Sequence, residues 1–228
     1  MGLSIRFHSG EPKFKGINYF SRPIFNLTVA ARIGHNTTTF QCVKEIQNKA
    51  INAGLAVQVP SQAQAHIPII IPIFLTEGMG AIPDKGEKDR LFDKLVDVLR
   101  QVMPTCLMFP SQIPRFDEIF VGQQDVRLMA SRSDKLTLAQ SDLQKGVQQL
   151  LDSRFDFPGG LPNIDGKVFT AILRFKEGFS EANYAKLMKI LENTSGKFEN
   201  NALEMLISPD NIKVVQFDSL FEPWVKEA

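Results

Sequence analysis

The chain reads as an α+β protein: a duplicated, two-lobed fold, each lobe a β-α-β-α-β run, with a central cleft between two sheets. Three observations predict it. Apolar β-branched stretches alternate with amphipathic helical stretches along most of the length. The order β-α-β-α-β occurs twice, the second copy starting near Val126. Gly, Pro and capping residues fall at the joints.

Taken in order, Ile24–Ile33 has the composition of a buried strand, with Gly34 to Asn36 as its turn and as the cap of the next helix. Thr37–Ala53 follows as a helix with Phe40, Val43, Ile46 and Ala50 on one face, ended by Gly54. His66–Leu75 is the next strand. Asp84 and Glu87 form the capping pattern of a second helix, whose stripe is Leu91, Leu95, Val98 and Val102 and whose end is Pro104. Short strands are expected at Cys106–Phe109, Glu118–Val121 and Val126–Ser131, then a third helix over about Asp134–Asp152. After the Gly- and Pro-dense loop Phe157–Gly166 come strand Val168–Phe175 and a helix from the Ser180 cap to Gly196. Strands Phe198–Ile207 and Ile212–Leu220, joined by a Ser-Pro-Asp-Asn turn, close the chain. The expected division is an N-terminal extension, 1–23, packed on the body, and one domain, 24–228, with lobe one at about 24–121 and lobe two at about 126–221.

Composition narrows the function. With 26 Lys and Arg against 25 Asp and Glu in 228 residues, the net charge is +1, so no overall field recruits nucleic acid or a membrane surface. Two cysteines, Cys42 and Cys106, and three histidines, His8, His35 and His66, are too few for a Cys/His zinc site, and both thiols read as buried and inert. No metal and no cofactor is expected. The longest apolar run, Ile67 to Leu75, is interrupted by Pro68 and Pro72, and Met1 to Pro23 lacks the apolar core of a signal peptide. A cytoplasmic protein is expected.

Two strand segments carry the functional reading. The first is His66-Ile67-Pro68-Ile69-Ile70 and the second Phe169-Thr170-Ala171-Ile172-Leu173-Arg174, separated by 169 − 66 = 103 residues. The element order over Ile24 to Leu220, with these two segments, resembles the 2H phosphoesterase superfamily, which includes RNA ligase-like 2′,3′-cyclic phosphodiesterases. Members resemble one another in one His-x-Thr/Ser motif per lobe, within His-x-Thr-Leu-x-Phe and Pro-His-x-Thr-Leu-x-Arg. Here His66 stands at the first His and Arg174 fits the second motif's Arg, but Phe169 replaces the second His and Ala171 its Thr. An alternative register puts Thr170 at the motif's Thr and Val168 at the His; it loses the Arg match. The resemblance implies a two-imidazole mechanism, and neither Phe169 nor Ala171 can donate a proton or bind an oxyanion. Conventional phosphodiesterase activity is therefore disfavoured.

Strand alternation places His66, Pro68 and Ile70 on one face, and Phe169, Ala171 and Leu173 on one face, with Thr170 and Arg174 toward the helices. If these are the cleft faces, an apolar pocket surrounds one imidazole. That lining fits a small, largely apolar ligand, with His66 as acid/base for isomerisation, cyclisation or dehydration. His8 and Tyr19, in the aromatic N-terminal segment, are further candidates for reaching it. Two rival readings stand beside this one: a phosphodiesterase or cyclic nucleotide hydrolase with a non-standard second catalytic group, and a non-catalytic interaction protein.

Overall fold

A computed structural model of the chain describes residues 3–8, 26–60, 65–74, 84–105, 113–151, 166–176, 178–217 and 226–228. In chain order the elements are β1 (Ser4–Phe7), β2 (Asn26–Arg32), α1 (Thr38–Asn52), β3 (Val57–Gln58), β4 (His66–Phe74), α2 (Lys85–Val102), β5 (Arg115–Val121), β6 (Asp125–Ser131), α3 (Asp134–Leu150), β7 (Lys167–Phe175), α4 (Glu181–Phe198), β8 (Leu203–Glu204), β9 (Ile212–Phe217) and β10 (Lys226–Glu227).

The strands form two sheets. The first has the order β10-β9-β2-β4, all antiparallel; the second runs β1-β5-β6-β7-β3, with β8 added to β5 and only the β1–β5 pair parallel. Within this arrangement β2-β4 and β6-β7 are equivalent hairpin-like pairs, one in each sheet. Their third strands are exchanged: β5 follows β4 in the chain but pairs with β6, while β9 follows β7 and pairs with β2. The helices are exchanged likewise. α1 and α4 pack together over the second sheet, and α2 and α3 over the first.

Each helix starts where a side chain replaces the missing backbone partner. Thr37 accepts from the Phe40 amide, Asp84 from Glu87, Ser133 from Leu136 and Ser180 from Asn183. Their apolar stripes are buried against the sheets, with Ile46, Leu95, Leu143 and Leu187 fully enclosed. From the sheets, Val29, Ala31, Ile67, Leu128, Val168 and Val214 reach the same continuous core.

The predicted strand Phe198–Ile207 is a correction. α4 continues through Gly196 to Phe198, and only Leu203–Glu204 is extended. Thr194 and Phe198 are buried in that last turn, so packing holds the helix past the glycine that sequence reading took as its end. The predicted strand Cys106–Phe109 and residues 157–165 of the predicted loop lie outside the described residues. Among the described residues, no helix is long and apolar enough to cross a membrane.

Candidate functional site

Pro68 and Pro72 would break the ladder of a central strand, and β4 is accordingly the edge strand of the first sheet. It pairs irregularly. β2 and β4 match at Val29–Ile70 and again at Ala30–Pro68, so Ile69 is an extra residue on β4. The other sheet repeats this. β6 and β7 match at Val126–Leu173 and again at Arg127–Ala171, leaving Ile172 extra on β7. His66 lies three residues before the first bulge and Phe169 three before the second (69 − 66 = 172 − 169 = 3). Of the two registers open in the sequence, the bulges therefore select the one that equates Phe169, not Val168, with His66.

On the first sheet, Leu27, Val29, Ala31, Ile67 and Ile69 point to the helices. The opposite, helix-free face carries His66, Pro68, Arg32 and a separate apolar cluster of Ala30, Val215 and Phe217. That face is concave. Phe217 pairs with Asn26 and His66 with Arg32, six residues along β2, about 20 Å in a flat strand. Yet the His66 and Phe217 rings lie 5.9 Å apart, centroid to centroid, so the bulged strand curls the sheet and gathers these side chains inward. Arg32 crosses the same face to Glu227 on β10, at 2.5 Å. The result is one half-buried imidazole, directly across the ladder from an anchored guanidinium, over a buried apolar floor.

The helix-free face of the second sheet is ionic. Arg127 covers the Phe169 ring at 4.8 Å and bonds Asp125 at 2.8 Å, while Arg6 covers Phe120 at 4.7 Å. Glu118, buried between them, accepts from Arg6 at 2.8 Å and from Lys167 at 2.9 Å. Burial alone would raise the Glu118 carboxyl, but hydrogen bonds from Lys167 and Arg6 outweigh it and hold it below its ordinary value. Burial would likewise lower Lys167, and its bond to Glu118 with the neighbouring Asp117 raises it instead. The Glu118 contribution to stability is complete above 4.5 and is lost as pH falls through the lowered value; the Lys167 contribution is complete below 10.5 and is lost as pH rises through the raised one. Glu118→Gln should therefore cost about 1–3 kcal/mol at neutral pH and flatten the acid limb of a stability-against-pH curve, measured by denaturant melts.

The predicted site residues are distributed unequally between these faces. His66 and Pro68 stand on the helix-free face of the first sheet, and Phe169 and Ala171 on that of the second. Leu173 does not: it is fully buried on the helix side, because the extra residue Ile172 reverses the alternation after Ala171. The same reversal turns Arg174, expected toward the helices, to the helix-free side opposite Asp125, where burial pushes its guanidinium down to about 10. Thr170 is buried toward the helices as expected. His8 follows β1 with its ring 6.5 Å from Phe120 and so belongs to the second sheet. The Ile70 side chain and Tyr19 lie outside the described residues. Arg32 and Glu227 were missed; the alternation of β2 could have placed Arg32 beside Ala30, but nothing local pairs it with Glu227. Cys42 is buried, which with the nearby Glu45 pushes its thiol up to about 12, as an inert core group requires. Among the described residues no three His, Cys, Asp or Glu side chains gather as metal ligands.

Similarity to solved structures follows the topology. A conserved protein of unknown function from Agrobacterium tumefaciens, ATU0111, superimposes with TM-score 0.52 at 11% identity, over 93% of this chain and 91% of that one. At this identity the likeness is one of fold alone. The protein TT0787 of Thermus thermophilus is also similar, at TM-score 0.45 and 14% identity over 89% and 96% of the two chains. Kluyveromyces marxianus Usb1 gives TM-score 0.39 at 8% identity over 87% and 95%. No protein-family model and no curated protein sequence matches this chain.

Proposed function

We propose that the chain binds a small, largely apolar molecule on the concave, helix-free face of the first sheet, and that His66 moves a proton on it in an isomerisation, cyclisation or dehydration. The single observation behind this reading is the grouping of one half-buried imidazole and the Arg32–Glu227 pair over Ala30, Val215 and Phe217. The apolar cluster accepts the body of the ligand, the guanidinium orients a polar oxygen, and the imidazole gives or takes the proton. Two-imidazole phosphodiester hydrolysis has no second group at the equivalent position, because Phe169 stands there under Arg127.

The reading is tested by a thermal-shift screen against two panels, small apolar ketones and carboxylic acids, and 2′,3′-cyclic nucleotides with short oligonucleotides. Stabilisation by the first panel is expected; a compound at about 100 times its dissociation constant adds roughly 2.7 kcal/mol. Turnover of that compound should fall about 10²- to 10⁴-fold in His66→Ala. Stabilisation by nucleotides alone, or turnover unchanged in His66→Ala, overturns it.

A further inference from the structure

The two bulges are held by matching side chains from opposite halves of the chain. Gln140, fully buried on α3, donates through Nε2 to the carbonyl of Ile69 at 3.3 Å. Gln47, buried on α1, donates through Nε2 to the carbonyl of Ile172 at 3.0 Å. Each helix thus reaches the strand of the other half and takes the carbonyl of an extra residue there, Ile69 on β4 and Ile172 on β7. Their surroundings differ. The Gln140 Oε1 accepts from Arg132 at 3.4 Å, whereas Gln47 shares its amide with the Pro60 carbonyl at 3.3 Å.

A bulge decides alternation. Without an extra residue at Ile69 the segment His66–Pro68 would slip by one position against β2, and His66 would exchange faces with Ile67. The Gln140 bond to the carbonyl of that extra residue is buried, so loss of the donor would weaken the bulged register against the slipped one. A glutamine is long enough to reach an edge strand from an adjacent helix and carries the donor that a leucine in the same place would lack.

We infer that Gln140 is the positioning residue of His66, and Gln47 that of Phe169 and Arg174: each glutamine fixes one bulge and thereby which side chains face away from the helices. The importance of Gln140 to the site rests on the ligand-binding reading above, but its test needs no ligand. With three histidines in the chain, the imidazole Cε1–H region of a proton NMR spectrum holds three signals, and His66→Ala assigns one of them. Gln140→Leu should move the His66 signal and its titration midpoint while His8 and His35 stay in place. Gln47→Leu, which removes the equivalent bond in the other sheet, should leave His66 unmoved. Gln140→Met, equally long and without a donor, should reproduce Gln140→Leu and serves where leucine gives no folded protein. An unmoved His66 signal in a folded Gln140 variant, an equal movement in Gln47→Leu, or loss of folding in both Gln140 variants while Gln47→Leu folds would overturn the inference. Failure of every ligand in the screen would remove the proposed function and leave this result standing.

Discussion

Phe92→Ala should destabilise the protein by about 3–5 kcal/mol, the cost of emptying an aromatic site that cannot collapse. Phe92 is among the largest fully enclosed side chains, 1% exposed, on the stripe by which α2 covers the first sheet. In a chain of this length each kcal/mol shifts the melting temperature by about 2–4 °C, so a fall of roughly 6–20 °C is expected in a thermal melt. The loss would be local to the α2–α3 layer, so the variant also reports whether the concave face depends on it. A change below about 1 kcal/mol would mean that α2 does not pack here.

Gly146→Val is the second large effect, about 1–3 kcal/mol of overpacking. Gly146 is inside α3, where glycine costs about 1 kcal/mol against alanine, so its place there asks for a steric reason. A Cβ on Gly146 would stand 2.6 Å from Cγ1 of Val102, on the last turn of α2. The two helices meet backbone to side chain at that point, and a branched residue would force them apart. Combining Gly146→Val with Val102→Ala should recover most of the loss, a coupling that a double-mutant cycle in denaturant melts measures directly. Additive effects of the two changes would contradict the close approach.

Helices and most strands were legible because their signals are local. The caps at Asp84 and Ser180 and the apolar stripes follow from spacing alone; the cap of α1 is Thr37 rather than Gly34 to Asn36, and the Ser133 cap of α3 shows only in its bond to the Leu136 amide. Strand alternation correctly set His66 against Ile67 and Phe169 against Thr170. It failed after Ala171, where one unpaired residue inverts the faces of Leu173 and Arg174, and no residue type announces a bulge at an isoleucine. The end of α4 was illegible for a related reason: Gly196 looks like a stop, and only the burial of Phe198 shows that the helix continues. Long-range pairs lie beyond sequence reading altogether. Arg32 meets Glu227 across 195 residues, and Gln140 meets Ile69 across 71, because strand exchange brings the halves together. The near-zero net charge also concealed how charge is placed, with an apolar cluster beside His66, Arg32 and Glu227 on one helix-free face and Arg6, Arg127 and Lys167 paired with Glu118 and Asp125 on the other.

The central claim is that ligand chemistry belongs to the concave face around His66. The most direct measurement is a proton NMR titration of the three imidazole signals with the apolar ketone or acid that stabilises the protein most in the thermal screen. The account predicts a saturable shift of the His66 signal alone, lost in Arg32→Ala, with His8 and His35 unmoved. A shift confined to His8, beside Phe120 on the second sheet, or none at His66 under saturating compound, would contradict it.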